Sequence, residues 1–485
     1  MSTAASPLTA PATGSARPDT GDVLSVAQTA AWVASITVPL VLWFAPLGID
    51  PRAQHAFAVV SFMLLGWMTH ILEPAMVGLA GMYLAWALKV VPFEVAFSGF
   101  ANNTTWFLYG AMLFGGTAAK SGLARRIAFT VMRSVGSTYS RLVLGLIVSD
   151  FLLTLIVPSG IARVVLMAAV AIGVIEAFGV GPGSNIGRAL FITLTYTATI
   201  FDKMVIAGAS SITARGLIEK IGMVDVLWSQ WALAFLPVDI ITILLAWRVT
   251  VWLYPPEREQ PPGGPAFLNA ELKRMGPLSG MEKRAAFLLL LATAFWVTDF
   301  LHHIPAAMIG LGVGLLAVMP RIGVLGVEDL RKLNYLVIVF VAAALSLGEI
   351  LRTSGALQVL TTAVFGEVQI LLGPPWITTV VLYWTAFVYH LFLGDEISML
   401  ATSIPVLMQA ARTHGVNPLF VGMVWTFGAG GKIFIYQTGV LVVGYSYGYF
   451  TPKDMFRMGL ALTVIEFFVL LLVLPLWWPL IGITY

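Results

Sequence analysis

Apolar runs of about 20 residues recur along most of the chain, separated by short polar or glycine- and proline-containing segments. Because the hydrocarbon core of a bilayer is about 30 Å thick, each such run predicts one membrane-spanning helix. Eight uninterrupted runs fall near 30–48, 54–72, 74–92, 99–120, 226–253, 284–303, 304–320 and 334–352. Another covers about 452–484. This pattern predicts an all-α membrane protein.

Four further apolar segments are interrupted near their middles. Residues 138–178 break at Pro158-Ser159-Gly160, and residues 374–412 break at Gly394-Asp395-Glu396. The segments 186–219 and 417–449 carry Lys203 and Lys432 near their centres. A broken run of about 40 residues forms either two spans or one re-entrant hairpin, whose irregular backbone must be buried in protein or line a wet cavity. If both broken runs are re-entrant hairpins, the chain contains about 11 transmembrane helices in total.

The same order of elements occurs twice: a span, an amphipathic stretch, a broken apolar hairpin and a lysine-bearing segment. An odd number of spans in each repeat would invert the second copy relative to the first. The predicted organisation is a disordered tail at 1–28, a first span and first inverted repeat at 29–254, a linker at 255–283, and a second inverted repeat at 284–485. The hairpins lie at 138–178 and 374–412.

Composition agrees with the membrane assignment. Hydrophobic residues make up 59% of the chain and charged residues 11%, whereas soluble domains use about 25% charged residues. Arginines and lysines concentrate in the loop that follows residue 125 and in the linker at 255–283. Since cytoplasmic loops are enriched in these residues, we expect a multi-pass protein of the cell inner membrane with a cytoplasmic N-terminus. A net charge of +3 spread over the chain gives no reason to expect a nucleic-acid partner.

Several local motifs carry a resemblance to a known family. They are Phe100-Ala101-Asn102 followed by Trp106, Gly448-Tyr449-Phe450-Thr451-Pro452, and Trp477-Trp478-Pro479 near the C-terminus. From about residue 54 onward the chain resembles the divalent anion/sodium symporter family, which includes dicarboxylate and citrate carriers. The resemblance implies a homodimeric elevator-type transporter in the lipid bilayer, with a small anionic molecule as its substrate.

The resemblance also implies where a binding site lies, because family sites form at the hairpin tips and at unwound turns of the facing helices. There, helix N-termini offer N–H groups to an anion, while carbonyls and hydroxyls ligate a small cation such as Na⁺. The tip reading Ser159-Gly160-Ile161 departs from the family's Ser-Asn-Thr triplet. The resemblance therefore implies the family's fold more strongly than it implies sodium binding. The candidate substrate- or ion-binding residues are Ser159, Gly160, Arg163, Asp202, Lys203, Ser210, Ser211, Asp395, Glu396, Ser398, Lys432, Gln437 and Thr438.

Ionisable residues inside spans are functional candidates by default, because burying an unpaired charge is unfavourable. One hypothesis is that Lys203 and Lys432 act as tethered cations where sodium would bind. A second is that Asp395 or Glu396 binds a proton. The alternative is that these residues form internal ion pairs that lock the hairpins together. Arg163 either grips a substrate carboxylate or pairs with an acidic residue.

Four other polar residues, Asp150, Asp239, Glu349 and His390, lie in apolar runs away from the expected site. Packing or pairing within the hairpins explains them better than transport chemistry does.

These observations predict a secondary active transporter of a small anionic metabolite, similar to a di- or tricarboxylate, coupled to Na⁺, H⁺ or a counter-anion. The alternative is a cation/proton antiporter of a related fold group, which the Asp395-Glu396 pair would suit. No His-Glu-x-x-His zinc motif is present, and we predict that the protein is not an enzyme. No cofactor is expected apart from a coupling ion.

Overall fold

The computed structural model describes residues 26–69, 72–262, 264, 266–365, 373–393 and 395–485. Every regular element within these ranges is helical. The expected tail at 1–28 falls outside the described residues up to residue 25, and the first helix begins at Val26. Gly394, expected at the second hairpin tip, also lies outside the described residues.

The helices before the linker include both long and broken segments. They are α1 (Val26–Phe44), α2 (Pro51–Thr69), α3 (Pro74–Ala87), α4 (Phe93–Ala96), α5 (Asn103–Ser121), α6 (Leu123–Val135), α7 (Tyr139–Thr154), α8 (Gly160–Phe178), α9 (Asn185–Met204), α10 (Ala209–Gly222) and α11 (Trp228–Leu253), with a 3₁₀ turn at Ser98–Ala101. The predicted break at Pro158-Ser159-Gly160 separates α7 from α8. Another break, at residues 205–208, separates α9 from α10 and follows Lys203 almost directly.

The linker and the second half repeat this alternation of helices and breaks. Their helices are α12 (Ala266–Met275), α13 (Gly280–Val297), α14 (Asp299–His302), α15 (Ala306–Leu316), α16 (Val327–Arg331), α17 (Tyr335–Thr353), α18 (Ala356–Phe365), α19 (Pro375–Phe392), α20 (Glu396–Thr413), α21 (Pro418–Gly428), α22 (Gly439–Ser446) and α23 (Pro452–Trp477), with 3₁₀ turns at Ile435–Gln437 and Trp478–Ile481. Lys432 lies in the break between α21 and α22, which we call the second break.

By length and composition, five helical segments of the described chain are long and apolar enough to cross a membrane. They are Gly160–Phe178, Asn185–Gly222, Trp228–Leu253, Tyr335–Thr353 and Pro452–Ile481. The expected span at 304–320 is an 11-residue helix, α15, and the segment at 417–449 is divided into α21, a 3₁₀ turn and α22. The protein is therefore all-helical with several apolar helices, while the count of 11 spans stays a prediction.

The two halves of the chain interlock around their broken segments. α22 packs against α8 and α9, α10 packs against α20 and α21, and α11 packs against α23. A separate set of contacts joins α5 to α15 and α3 to α17. At the α5–α15 crossing a Cβ on Gly110 would meet the backbone of Gly310, so that only a residue without a side chain fits.

The linker is attached to α6 by a half-buried arginine. The Arg126 guanidinium forms an ion pair with Glu282 at 2.6 Å and donates to the carbonyl of Gly276 at 2.9 Å. Glu282 and Ser279 also form a reciprocal capping box at the start of α13. These contacts fix the end of the linker relative to the helix that precedes the first broken segment.

Candidate functional site

The starts of four helices, α8, α10, α20 and α22, surround one cavity of about 360 Å³. This volume lies within the range of about 300–1,000 Å³ that is typical of small-molecule sites. Because the first N–H groups of a helix have no intrahelical acceptor, each start brings unpaired donors to the cavity. The lining residues at these starts are Ser159, Gly160, Ile161, Ala209, Ser210, Asp395, Glu396, Ile397, Thr438, Gly439 and Val440.

The rest of the wall comes from α9, the second break and a more continuous group of helices. Thr199 and Asp202 of α9 and Lys432 in the break face the cavity. The opposite side is formed by residues of α3, α5 and α17 and those just before α3 and α17, which are Glu73, Pro74, Leu108, Met112, Asn334, Val337 and Phe340. The cavity thus lies between the interlocked broken segments and the helices packed against them.

Local sequence explains why helices begin at the cavity. Ser159 caps α8, since its Oγ accepts a hydrogen bond from the N–H of Ala162 at 3.3 Å. Asp395 caps α20 by accepting from the N–H of Ser398 at 3.0 Å. Thr438 caps α22 in the same way. Each of these residues was predicted from the sequence as part of the site, and each shapes the wall through its capping role.

Arg163 lies at the centre of a buried ion-pair network and does not line the cavity. Its Nε donates to Asp150 Oδ1 at 3.0 Å, and its Nη1 donates to Asp202 Oδ1 at 2.8 Å. A third donor, Nη2, bonds to the carbonyl of Ala198 at 2.8 Å. The arginine is fully buried, so its side chain ties α8 to α7 and α9. Of the two readings of Arg163, the structure shows pairing with acidic residues.

Lys432 and Glu396 form an ion pair at the cavity wall, with 3.0 Å between Lys432 Nζ and Glu396 Oε2. Both residues line the cavity and both are nearly fully buried. They come from different breaks of the second half, the start of α20 and the segment after α21. The pair therefore joins two backbone breaks at the point where a bound molecule would lie.

Lys203 is not a lining residue, although it follows Asp202 in sequence. Its ammonium group lies 3.8 Å from Glu466 Oε2 of α23 and 5.2 Å from the centre of the Phe427 ring. Its backbone carbonyl accepts a hydrogen bond from Trp231 Nε1 at 2.7 Å, which satisfies an acceptor at the end of α9. The two matched lysines thus have different surroundings in the structure.

Three further predicted residues hold the backbone of the breaks and do not line the cavity. Gln437 Oε1 accepts from the N–H groups of Ile433 and Phe434 at 2.7 and 2.8 Å. Ser211 Oγ accepts from the N–H of Gly208 at 3.2 Å, and Ser398 donates to Asp395. The predicted residues that do line the cavity are Ser159, Gly160, Asp202, Ser210, Asp395, Glu396, Lys432 and Thr438.

Sequence reasoning missed Glu466, the partner of Lys203, and Trp231. Glu466 is an acidic residue in the middle of the last apolar run, which is a signal that the sequence does contain. His390 was placed away from the site, but its ring nitrogens lie 2.6 Å from the carbonyl of Ala429 and 3.1 Å from that of Gln437. It thereby supports the second break.

Metal-binding clusters and hydrolase motifs are the two features of an enzyme site that concern the described part of the chain. No group of three or more His, Asp or Glu side chains there is arranged to hold a metal ion. The stretch Gly444-Tyr445-Ser446-Tyr447-Gly448 matches the Gly-x-Ser-x-Gly pattern of hydrolases, but Ser446 ends helix α22. A nucleophile elbow requires a turn from a strand into a helix, so the match has no catalytic context.

Comparison with protein families gives one match along nearly the whole chain. A family model described as the sodium:sulfate symporter transmembrane region matches residues 26–484. This range contains all four helix starts at the cavity, the end of α9 that carries Lys203 and the break that carries Lys432.

Several similar proteins bear names that describe organic-anion transport. The citrate/succinate antiporter of Escherichia coli is 27% identical, over 95% of this chain and 99% of its own. The L-tartrate/succinate antiporter of Shigella dysenteriae is 25% identical, over 89% of this chain and 94% of its own. The chloroplastic dicarboxylate transporter 1 of Spinacia oleracea is 25% identical, over 93% of this chain and 81% of its own.

Proposed function

Since the chain belongs to the sodium:sulfate symporter family, we propose that it is a secondary active transporter that carries a small di- or tricarboxylate across the cell inner membrane. The names of similar proteins support an anionic metabolite as the substrate. Two of these names describe antiporters, which favours exchange of one carboxylate for another.

The observation that carries this proposal is the meeting of four helix N-termini at one cavity. Each N-terminus is equivalent to roughly half a positive charge and has N–H groups ready to donate to an anion. Lys432 lies on the same wall, where its ammonium group is paired with Glu396. A carboxylate bound there would accept hydrogen bonds from the backbone, and a second carboxylate on the same molecule would reach donors from another helix.

The acidic residues on the wall do not oppose this reading, because most of them already have fixed partners. Asp202 is paired with Arg163, and Glu396 is paired with Lys432. Asp395 is engaged as the cap of α20. Their negative charges are therefore offset locally, and the helix N-termini remain to set the potential of the cavity.

We also propose that coupling does not require sodium. Lys432 occupies a break where family members hold a cation, and Lys203 supplies a second fixed positive charge behind the wall. The tip sequence Ser159-Gly160-Ile161 lacks the asparagine and threonine of the usual triplet. A chain with these features would exchange anions or use protons. Sodium at the hairpin tips is the competing outcome.

The mechanism that fits this arrangement is an elevator in a homodimer. In it, α7–α11 and α19–α23 would move as one body, carrying the cavity past α3, α5 and α17. The hairpins would be re-entrant, the two halves inverted repeats, and the N-terminus cytoplasmic. What supports this is the interlocking of the two halves through α22, α10 and α11.

A second candidate is a cation/proton antiporter, and one observation favours it. Among the described residues, four carboxylates line the cavity, those of Glu73, Asp202, Asp395 and Glu396, against one lysine, Lys432. A cation site would use these oxygens directly.

Transport by the purified full chain in proteoliposomes separates the candidates. Labelled succinate, citrate, L-tartrate and sulfate are supplied outside, with or without an inward sodium gradient and with or without unlabelled anion inside. Uptake that ignores sodium and is driven by internal anion or by an inward proton gradient is the expected result. Uptake driven by sodium alone would overturn the sodium-independent mechanism. Movement of sodium or protons without any of these anions would instead establish the cation antiporter.

A further inference from the structure

A second group of buried charged residues lies behind the cavity. It consists of Lys203 on α9, Asp239 on α11 and Glu466 on α23, each about 1% exposed. None of the three lines the cavity. The anion site proposed above uses neither carboxylate, so this group requires its own explanation.

The hydrogen bonding of this group is incomplete. Lys203 Nζ lies 3.8 Å from Glu466 Oε2, which is close enough for an ion pair and too far for a hydrogen bond. Lys203 Nζ, Glu466 Oε1 and Asp239 Oδ1 are all buried without a hydrogen-bond partner. Buried polar atoms in folded proteins are normally paired, and exceptions mark functional groups or unseen water and ions.

The charge of the group is also unbalanced. Lys203 forms an ion pair with Glu466, and Asp239 is a further buried carboxyl group that interacts with Glu466, so one ammonium group is set against two carboxyl groups in a setting closed to solvent. The neighbouring ions do not supply the missing positive charge, because Lys432 is engaged with Glu396 and Arg163 is shared by Asp150 and Asp202. Burying a carboxylate without a compensating positive charge is unfavourable. The group is therefore neutral overall only when one of its two carboxyl groups carries a proton.

We propose that Asp239 and Glu466 form a proton-binding site beside Lys203, and that the site gains and loses one proton as the substrate cavity is filled and emptied. This deepens the proposed transport function and rests on it for the coupling step. Binding adds one proton from water to a carboxylate oxygen, and release returns that proton to water. No other bond forms or breaks.

The position of Lys203 explains how the site would sense the cavity. Lys203 follows Asp202, which lines the wall, and a Cβ on Gly430 of the second break would collide with the lysine amine. Lys203 is therefore linked to the cavity wall through Asp202 and also contacts the break that contains Gly430. Movement at either place would change the distance between Lys203 and Glu466. The charged and titratable groups that interact with Glu466 from the surrounding elements are Lys203, Asp239, Tyr383, Glu396 and Lys432.

The first test measures the proton itself and does not depend on transport. Infrared difference spectra of the purified full chain in lipid are recorded between mildly acidic and mildly alkaline pH. We expect a carbonyl stretch from a protonated carboxyl group in the wild type that is absent from Asp239→Asn and Glu466→Gln. Thr242→Val is the matched control, because Thr242 Oγ1 is also buried without a partner on α11 but does not titrate. A band that survives in both acid variants overturns the site.

The second test measures coupling with labelled L-tartrate. Its carboxyl groups stay ionised between about pH 6 and 8, since ordinary carboxyl pKa values lie near 4. The ratio of accumulation with and without an inward proton gradient should reach up to about tenfold per pH unit for one proton per substrate. We expect this ratio to fall to one in Asp239→Asn and in Glu466→Gln, and to keep its wild-type value in Thr242→Val.

The two tests separate the possible failures. If the wild type moves none of the anions but the infrared band behaves as expected, the transport proposal fails and the proton site stands. If the band is lost in the acid variants while the gradient ratio is one in the wild type, the site titrates without being linked to transport and the coupling step is overturned. Should Glu466→Gln fail to fold, Asp239→Asn alone decides both readouts.

Discussion

Arg163 donates to Asp150 at 3.0 Å across the first helix break, while a second donor of the same guanidinium reaches Asp202 on α9 at 2.8 Å. Asp150 lies in the last turns of α7, Arg163 lies in the first turn of α8, and Asp202 lies in the last turn of α9. One side chain therefore sets the relative positions of three helices, of which α8 and α9 contribute to the cavity wall. A planar guanidinium suits this role because its donors are fixed in a fork.

We expect Arg163→Met to lower stability by about 3–5 kcal/mol, because it leaves two buried carboxylates without a partner. Arg163→Lys should recover only part of the loss, since an ammonium group is compact and cannot reproduce the fork. The measurement is the thermal denaturation of the purified protein. Arg248→Met, at an exposed position on α11, is the control and should change stability by no more than about 0.5 kcal/mol. If Arg163→Met and Arg248→Met denatured at the same temperature, the network would be dispensable for stability.

A methyl group at Gly160 should disturb the same network from the cavity side. A Cβ there would collide with Asp202 Oδ2 and lie 3.0 Å from both Asp202 Cγ and Val440 Cγ2. We expect Gly160→Ala to displace the Asp202 carboxylate from Arg163 at a cost of about 1–3 kcal/mol, and to reduce substrate affinity. Gly115→Ala is the matched control, because its Cβ would lie at an ordinary 3.5 Å from Ala162 Cβ. Affinity that is unchanged in Gly160→Ala, measured by competition for uptake, would contradict this account.

An exposed ion pair provides a contrast in pH dependence. Lys120 Nζ lies 2.6 Å from Asp329 Oδ2, and this hydrogen bond holds the pKa of Asp329 below its usual value. A lowered folded-state pKa contributes stability at neutral pH that is lost as the pH falls through it. Asp329→Asn should therefore cost less than about 1 kcal/mol at neutral pH, and its difference from the wild type should shrink below about pH 4. Glu328→Gln, which removes the more exposed pair with Arg331, should show no difference at any pH. A constant difference for Asp329→Asn would mean that the loss is not electrostatic.

Much of the position of the site could be predicted from sequence. Polar or charged residues inside long apolar runs marked the breaks at Ser159 and Asp395 and those next to Lys203 and Lys432. The reason is physical, since an interrupted helix inside an apolar run leaves backbone groups that only protein or water can satisfy. The family resemblance then indicated that these breaks share one site.

The pairing of the charges could not be predicted in the same way. Lys203 and Lys432 occupy matched places in the sequence, yet one faces Glu466 on the last long helix and the other faces Glu396 at the start of α20. Which acid meets which base depends on how α9, α20 and α23 pack, and no local pattern encodes that. The lengths of individual helices could not be predicted for a related reason, because breaks such as those around α15 and α22 shorten helices without changing the apolar pattern.

Lys432 and Lys203 should contribute differently to anion binding. Lys432 lines the cavity and lies 3.0 Å from Glu396, so Lys432→Gln removes a positive charge from the wall and leaves a carboxylate there that repels an anion. A charge-assisted hydrogen bond contributes about 1.5–3 kcal/mol, so we expect KM for a transported carboxylate to rise at least about tenfold. Adding Glu396→Gln should recover stability but not affinity, because the positive charge is still missing. Lys203→Gln should change KM much less, since Lys203 does not line the cavity. Concentration-dependent uptake decides the matter: an unchanged KM in Lys432→Gln would make this lysine a structural partner of Glu396, and equal effects of both lysines would show that the wall alone does not determine anion binding.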